Sequence, residues 1–265
     1  MRHFFLIFLF ILIFVCSSIA YAEVFQYFDE EGTLIVTDNP FGTKKKKPHA
    51  HIDISKGSIT PDIKTKELSS SLIEDVLYDH YIVNAGNYSE AVNSANLNGP
   101  YDENENKNYA GQTKWKLGLS YKYNYSHQIV GSQINILTDI YEVEFRSYIT
   151  VLLPSLSVDS KLPAYDMENW HAFLQGLLDH EHDHVRIIRD PSVRDEAMQK
   201  IAKLRKLSFK YDPSSNIDEL VRNIVEAETA EIGCDMSKKI KKLNDEYDKL
   251  TEHGLKPEMK DVFFK

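Results

Sequence analysis

The sequence predicts an α+β fold in which an antiparallel sheet packs against a long helix, with two further helices after it. Three observations carry that prediction. Between Lys114 and Leu153 apolar residues alternate with polar ones, the two-residue period of half-buried strands. Beyond Pro154 the period lengthens to that of helices. The first helical segment carries His180-Glu181-His182-Asp183-His184, with two histidines four residues apart on the apolar stripe.

Taken in order, Met1-Arg2-His3 is a short positive start and Phe4 to Val15 an uninterrupted apolar run. Ala20-Tyr21-Ala22 then supplies small residues at a cleavage position, so 1–22 reads as a signal peptide and the mature chain as starting at Glu23, exported to the periplasm or beyond. The apolar run is too short for a comfortable span, so no transmembrane helix is expected after cleavage. Cys16 could anchor a lipid, but Val15 stands before it where a small residue is wanted. Only Cys234 would remain, which rules out an internal disulfide and leaves stability to a core. The 31 basic and 40 acidic residues become 30 and 40 without Arg2, a net charge of −10, which argues against nucleic acid as a partner.

Residues 23–43 read as a small β-hairpin domain, two strand-like runs around Asp29-Glu30-Glu31-Gly32 and closed by Pro40. This stretch resembles a short domain of unknown function found after the signal peptide in proteobacterial envelope proteins. Residues 44–71, with Lys44-Lys45-Lys46-Lys47 and no apolar period, read as a solvated linker. His49 and His51 in it are expected to be free of metal.

The folded body is assigned to 72–265. Trp115, Leu117, Leu119, Tyr121 and Tyr123 alternate against Lys116, Ser120 and Lys122 in its clearest strand. Gln133 to Leu153 alternates through Tyr141, Val143, Phe145, Ile149 and Val151, long enough for two strands or one with a bend. The motif helix is expected from a cap near Asp166 to Ile188, and a second after Asp190-Pro191, with Asp190 as its N-cap. A third is expected from Ser214-Ser215 through Ile217, Ile240 and Tyr247 towards Gly254.

His180 and His184 project from one helical face together with Phe173, Leu177 and Ile187, so both imidazoles are expected to be buried. A solvated histidine cluster has no reason to align with that stripe, whereas a shared zinc ion satisfies two buried imidazoles. Glu181, beside the first of them, is placed to act as general base on a water, the arrangement of a metallopeptidase. The fold is accordingly expected to be zincin-like, with an edge strand offering backbone groups to an extended peptide.

Several separated features resemble a family of bacterial secreted proteins of unknown function predicted to be zinc-dependent proteases. They are Tyr81-x-Val83, Asn98-Gly99-Pro100, Gly111-x-Thr113-x-Trp115, Leu153-Pro154, Trp170 ahead of the His-Glu-x-x-His helix, and Tyr247-Asp248-x-x-Thr251-x-His253-Gly254, spanning Tyr81 to Gly254. The resemblance implies a secreted metal-dependent hydrolase with His180 and His184 as ligands and Glu181 as base. A catalytic zinc needs a third protein ligand. His253 is the preferred candidate, ahead of Glu231, which has Asp235 four residues on, and of Asp190. Tyr247 is weighed both as a hydrogen-bond donor to a developing oxyanion and as a core tyrosine.

The expected activity is hydrolysis of peptide bonds in a peptide or protein, cell-wall peptide included, with Zn2+ as cofactor. The competing readings are a metal-binding envelope protein without catalysis and an amidase acting on peptidoglycan peptides. Glu181 separates the first of these from a hydrolase, because a pure binding site needs no carboxylate there.

Overall fold

The computed structural model describes residues 20–36, 72–103 and 105–265. The apolar run of residues 4–15 and the lysine-rich stretch, with His49 and His51, lie outside the described residues.

The strands are β1 (Ala20–Phe28), β2 (Leu34–Val36), β3 (Val76–Val83), β4 (Tyr101–Asp102), β5 (Lys107–Asn108), β6 (Gln112–Val130), β7 (Gln133–Leu156) and β8 (Lys206–Lys210). The helices are α1 (Tyr88–Asn98), α2 (Ala164–Ile188), α3 (Pro191–Lys203), α4 (Ile217–Thr251) and the short α5 (Lys260–Phe263). The architecture is α+β. One sheet runs in the order β2, β1, β6, β7, β3, with β8 on β7, and only the β3 to β7 pair is parallel. β4 and β5 form a separate two-stranded ribbon.

β6 shows why the alternation read correctly. Trp115, Leu117, Leu119, Tyr121, Tyr123 and Tyr125 are all buried on one face, while Lys114 and Lys116 on either side of Trp115 are exposed. β7 is one strand with a bend. Its register against β6 slips between the pairs Ser120–Glu144 and Lys122–Tyr141, where Glu142 takes a left-handed φ of 50° as the extra residue of a bulge. One extra residue swaps the faces of a strand. Hence Ile134 and Ile136 point inward before the bulge, whereas Ile149 and Val151 do so after it.

The two hairpin runs near the N-terminus are present as β1 and β2. β1 pairs along β6 from Ala20–Tyr125 to Phe28–Leu117, so hairpin and body share one sheet. Phe28 is fully buried, and Ser237 of α4 donates a hydrogen bond to the Asp29 carbonyl. On the helical side Leu178, Val185 and Ile188 of α2 and Val221, Val225, Ile232 and Ile240 of α4 complete this core. Trp170 anchors the start of α2 in a second cluster with Val83, Ala91 and Ala95.

The helix ends differ in detail from the sequence reading. α2 starts at Ala164 after Pro163, with no side-chain cap, and Asp166 lies in its first turn, where its charge favours the helix dipole. α4 begins later than Ser214-Ser215, because Asn216 accepts hydrogen bonds from the amides of Asp218 and Glu219. Asp190 is the N-cap of α3, accepting from Ser192. Among the described residues no helix is long and apolar enough to cross a membrane.

Candidate metal centre

α2 and α4 cross at the motif. Helical periodicity brings His180, Asp183 and His184 of α2 to the side facing α4, where Asn244 lies one turn before the adjacent Tyr247 and Asp248. His180 Nε2 and His184 Nε2 are 3.1 Å apart. Asp248 Oδ1 lies 3.1 Å from the first and 3.0 Å from the second. Ligand atoms 2.0–2.1 Å from zinc at tetrahedral angles stand roughly 3.3 Å from one another, so this triangle fits around one ion.

The hydrogen bonding supports the same reading. Asp248 Oδ1 is buried and receives a properly angled hydrogen bond from neither imidazole. Three lone-pair atoms facing one point need a proton or a cation between them. The charge pattern agrees: burial works to raise the Asp248 carboxyl, but the two imidazoles beside it outweigh burial and hold it well below the usual carboxylate range. Burial works to lower His184, yet Asp248 pushes it up to about 9. Two imidazole nitrogens and one carboxylate oxygen are a donor set that suits zinc.

Outer contacts hold the three in place. Asn244 Oδ1 lies 2.7 Å from His184 Nδ1, while Asn244 Nδ2 donates to the Ile240 carbonyl at 3.0 Å. Tyr247 stacks on His180 with ring centroids 5.3 Å apart and donates its hydroxyl to Asp183 Oδ2 at 2.6 Å. Lys260 Nζ reaches the other oxygen of Asp183 at 2.7 Å. Tyr247 is therefore a buried positioning residue whose hydroxyl proton is already engaged, and it does not face the cavity as an oxyanion donor.

The triad opens into a cavity of about 660 Å³ that Glu181, Thr113, Trp115, Tyr109 and His253 also line. Glu181 is buried; its Oε2 accepts from the Thr113 hydroxyl at 2.7 Å, and its Oε1 faces the backbone of Gly111. A Cβ on Gly111 would stand 2.6 Å from that oxygen, so only glycine allows the approach.

The structure thus brings together three of the residues singled out in the sequence, His180, Glu181 and His184. It puts Asp248 where His253 was expected. Glu252, His253 and Gly254 all have positive φ (50°, 53° and 83°), which turns the chain off the α4 axis just before His253. His253 Nδ1 ends 3.7 Å from Asp248 Oδ1, its ring stacked on Tyr109 at 4.3 Å and its Nε2 3.0 Å from the Tyr109 hydroxyl. Gly254 passes over His180, where a Cβ would meet the ring at 3.1 Å. Glu231 is exposed, and its neighbour Asp235 pairs with Lys200 at 2.8 Å, so Asp235 serves the α3 to α4 surface. Asp190 is occupied as a cap.

Asp248, Asn244 and Thr113 were given no role from sequence. A signal for Asp248 existed: with Asn244 it makes an i, i+4 polar pair flanking the buried line Ile240, Tyr247 and Thr251.

An α+β body that gathers two imidazoles and a carboxylate at one end of a cavity defines a candidate metal-binding protein. The chain belongs to the family described as "Bacterial protein of unknown function (DUF922)", whose model matches residues 78–254. That range contains the whole triad, Glu181 and Thr113, and excludes the β1–β2 hairpin. No curated protein and no solved structure matches the chain.

Proposed function

We propose that this protein is an exported zinc-dependent peptidase of zincin-like arrangement, with His180, His184 and Asp248 holding the ion and Glu181 acting as general base. The observation that carries this reading is the convergence of three buried ligand atoms, 3.0 to 3.1 Å apart, beside a buried carboxylate in one cavity. Zinc, when bound, polarises a substrate carbonyl and makes water nucleophilic at neutral pH.

The chain's own residues supply the remainder. Thr113 fixes one oxygen of Glu181 and leaves the other to take a proton from water and return it to the departing amine. Asn244 orients His184, and the Tyr247 ring packs on both imidazoles, 5.3 and 5.4 Å from their centroids. The signal-like start supports export. Cleavage after Ala22 leaves Glu23–Phe28 of β1 to pair with β6.

Metal analysis of the purified mature chain, beside hydrolysis of a mixed peptide library, tests the proposal. The expected result is one zinc ion per chain, and hydrolysis that Glu181→Gln abolishes while zinc is kept. Equal turnover by Glu181→Gln and the wild type would remove the enzyme reading.

A further inference from the structure

The β1–β2 hairpin lies outside the matched family range and yet forms one wall of the cavity, through Glu30 and Glu31 at its turn. β1 pairs with β6 only as far as Leu117; from Lys116 back to Gln112, β6 pairs with β7 alone among the described residues. On the side that β1 vacates, the Trp115 amide donates to Glu30 Oε1 at 3.0 Å. Strand backbone groups alternate between the two sides, so Thr113 presents its N–H and C=O on that same open side. Its hydroxyl holds Glu181. The free edge therefore begins beside the general base and ends about 7 Å later, two strand residues on, at the Glu30 carboxylate.

Resting on the peptidase reading, we propose that an extended substrate chain adds to this edge antiparallel to β6 and that the hairpin turn is its end-stop, with Glu30 and Glu31 receiving the free α-ammonium of the substrate. The direction follows from charge. An antiparallel chain brings its N-terminus to the turn, whereas a parallel one would bring a terminal carboxylate against two glutamates. Lys241, 3.5 Å from Glu31 and 3.7 Å from Asp245, and Lys114, whose charge also acts on Glu30, are cations beside them, so Glu30, Glu31 and Asp245 still exceed the two by one charge. Burial lifts the Glu30 carboxyl above its ordinary value, a cost that a bound ammonium relieves. The substrates are then peptides cut within one or two residues of a free amino terminus.

The test uses the zinc-loaded, full mature chain with Glu181→Gln, so that binding is read without turnover. An alanine-rich decapeptide amide with a free amino terminus should bind about ten-fold or more tightly than its acetylated form. Glu30→Gln with Glu31→Gln should erase most of that difference. The carboxamide oxygen that Glu30→Gln introduces can still accept from the Trp115 amide, and Glu31→Gln alone, at a largely exposed side chain, serves if the double variant fails to fold. Mass spectrometry of wild-type products should show loss of one or two N-terminal residues. Equal binding of the two peptides, a difference that survives both substitutions, or a preference that follows an internal lysine instead of the terminus would each overturn the end-stop. Internal cleavage indifferent to acetylation would leave the peptidase standing without it. Terminus-dependent binding with no cleavage of any peptide would do the reverse.

Discussion

Asn244 Oδ1 lies 2.7 Å from His184 Nδ1, and because Asn244 Nδ2 is committed to the Ile240 carbonyl, the asparagine oxygen faces the ring as an acceptor. His184 must then carry its proton on Nδ1 and turn the lone pair of Nε2 towards His180 and Asp248. Asn244→Ala should leave the fold intact and weaken zinc binding by about 10- to 100-fold. Titration against a chelating competitor measures this, and wild-type affinity in the variant would refute the role.

What the sequence disclosed and what it hid divide along locality. The face of β6 from Trp115 to Tyr125 and the stripe of α2 that buries His180 and His184 are periodic over short distances, so residue type alone exposes them. The bulge at Glu142 is a single inserted residue in an alternating run, which a pattern reader sees only as a bend. The pairing of β1 with β6 and of β3 with β7 joins residues far apart in the chain, and nothing local to either strand encodes it. The third corner of the triad was hidden for a local reason of another kind. His253 looks like the last residue of a helix face, but the left-handed turn beginning at Glu252 takes it off that face, while Asp248 stays on it.

Asp248→Ala should therefore cost more zinc affinity than the roughly 100-fold expected for an outer-shell partner. His253→Ala removes a stack on Tyr109 and should stay within about ten-fold of wild type, as an outer contact. Isothermal titration of zinc into the metal-free variants separates them. If His253→Ala loses the ion and Asp248→Ala keeps it, the ligand is the histidine and the 252–254 turn closes onto the ion.

Glu30 gives a pH prediction away from the ligands. Burial raises its carboxyl above the ordinary 4.5, against the opposing hydrogen bond from Trp115. A raised acid binds its proton more tightly in the folded chain, so its contribution to stability is largest below 4.5 and declines as pH rises through the folded value. Glu30→Gln keeps an acceptor for Trp115 and removes the charge. Urea unfolding of the variant should show a flatter dependence of stability on pH just above 4.5, and stability at pH 7 equal to or greater than that of the wild type. A variant less stable at pH 7 with an unchanged slope would show that ionised Glu30 is stabilising.

Gly111 tests whether the placement of Glu181 matters as much as its chemistry. A Cβ there would lie 2.6 Å from Glu181 Oε1 and 2.8 Å from Leu177 Cδ1, both too close, so both side chains must shift. The triad keeps its own supports, Asn244 on His184 and Tyr247 on His180. Gly111→Ala should therefore bind zinc like the wild type yet lose activity by about 100-fold, the scale of a 1 Å misplacement of a catalytic group. The loss should appear in kcat more than in KM, since the proton transfer and not the cavity wall is disturbed. Zinc titration and steady-state kinetics on the same preparation decide it: a variant that turns over at the wild-type rate would mean that Glu181 tolerates displacement and is not the base.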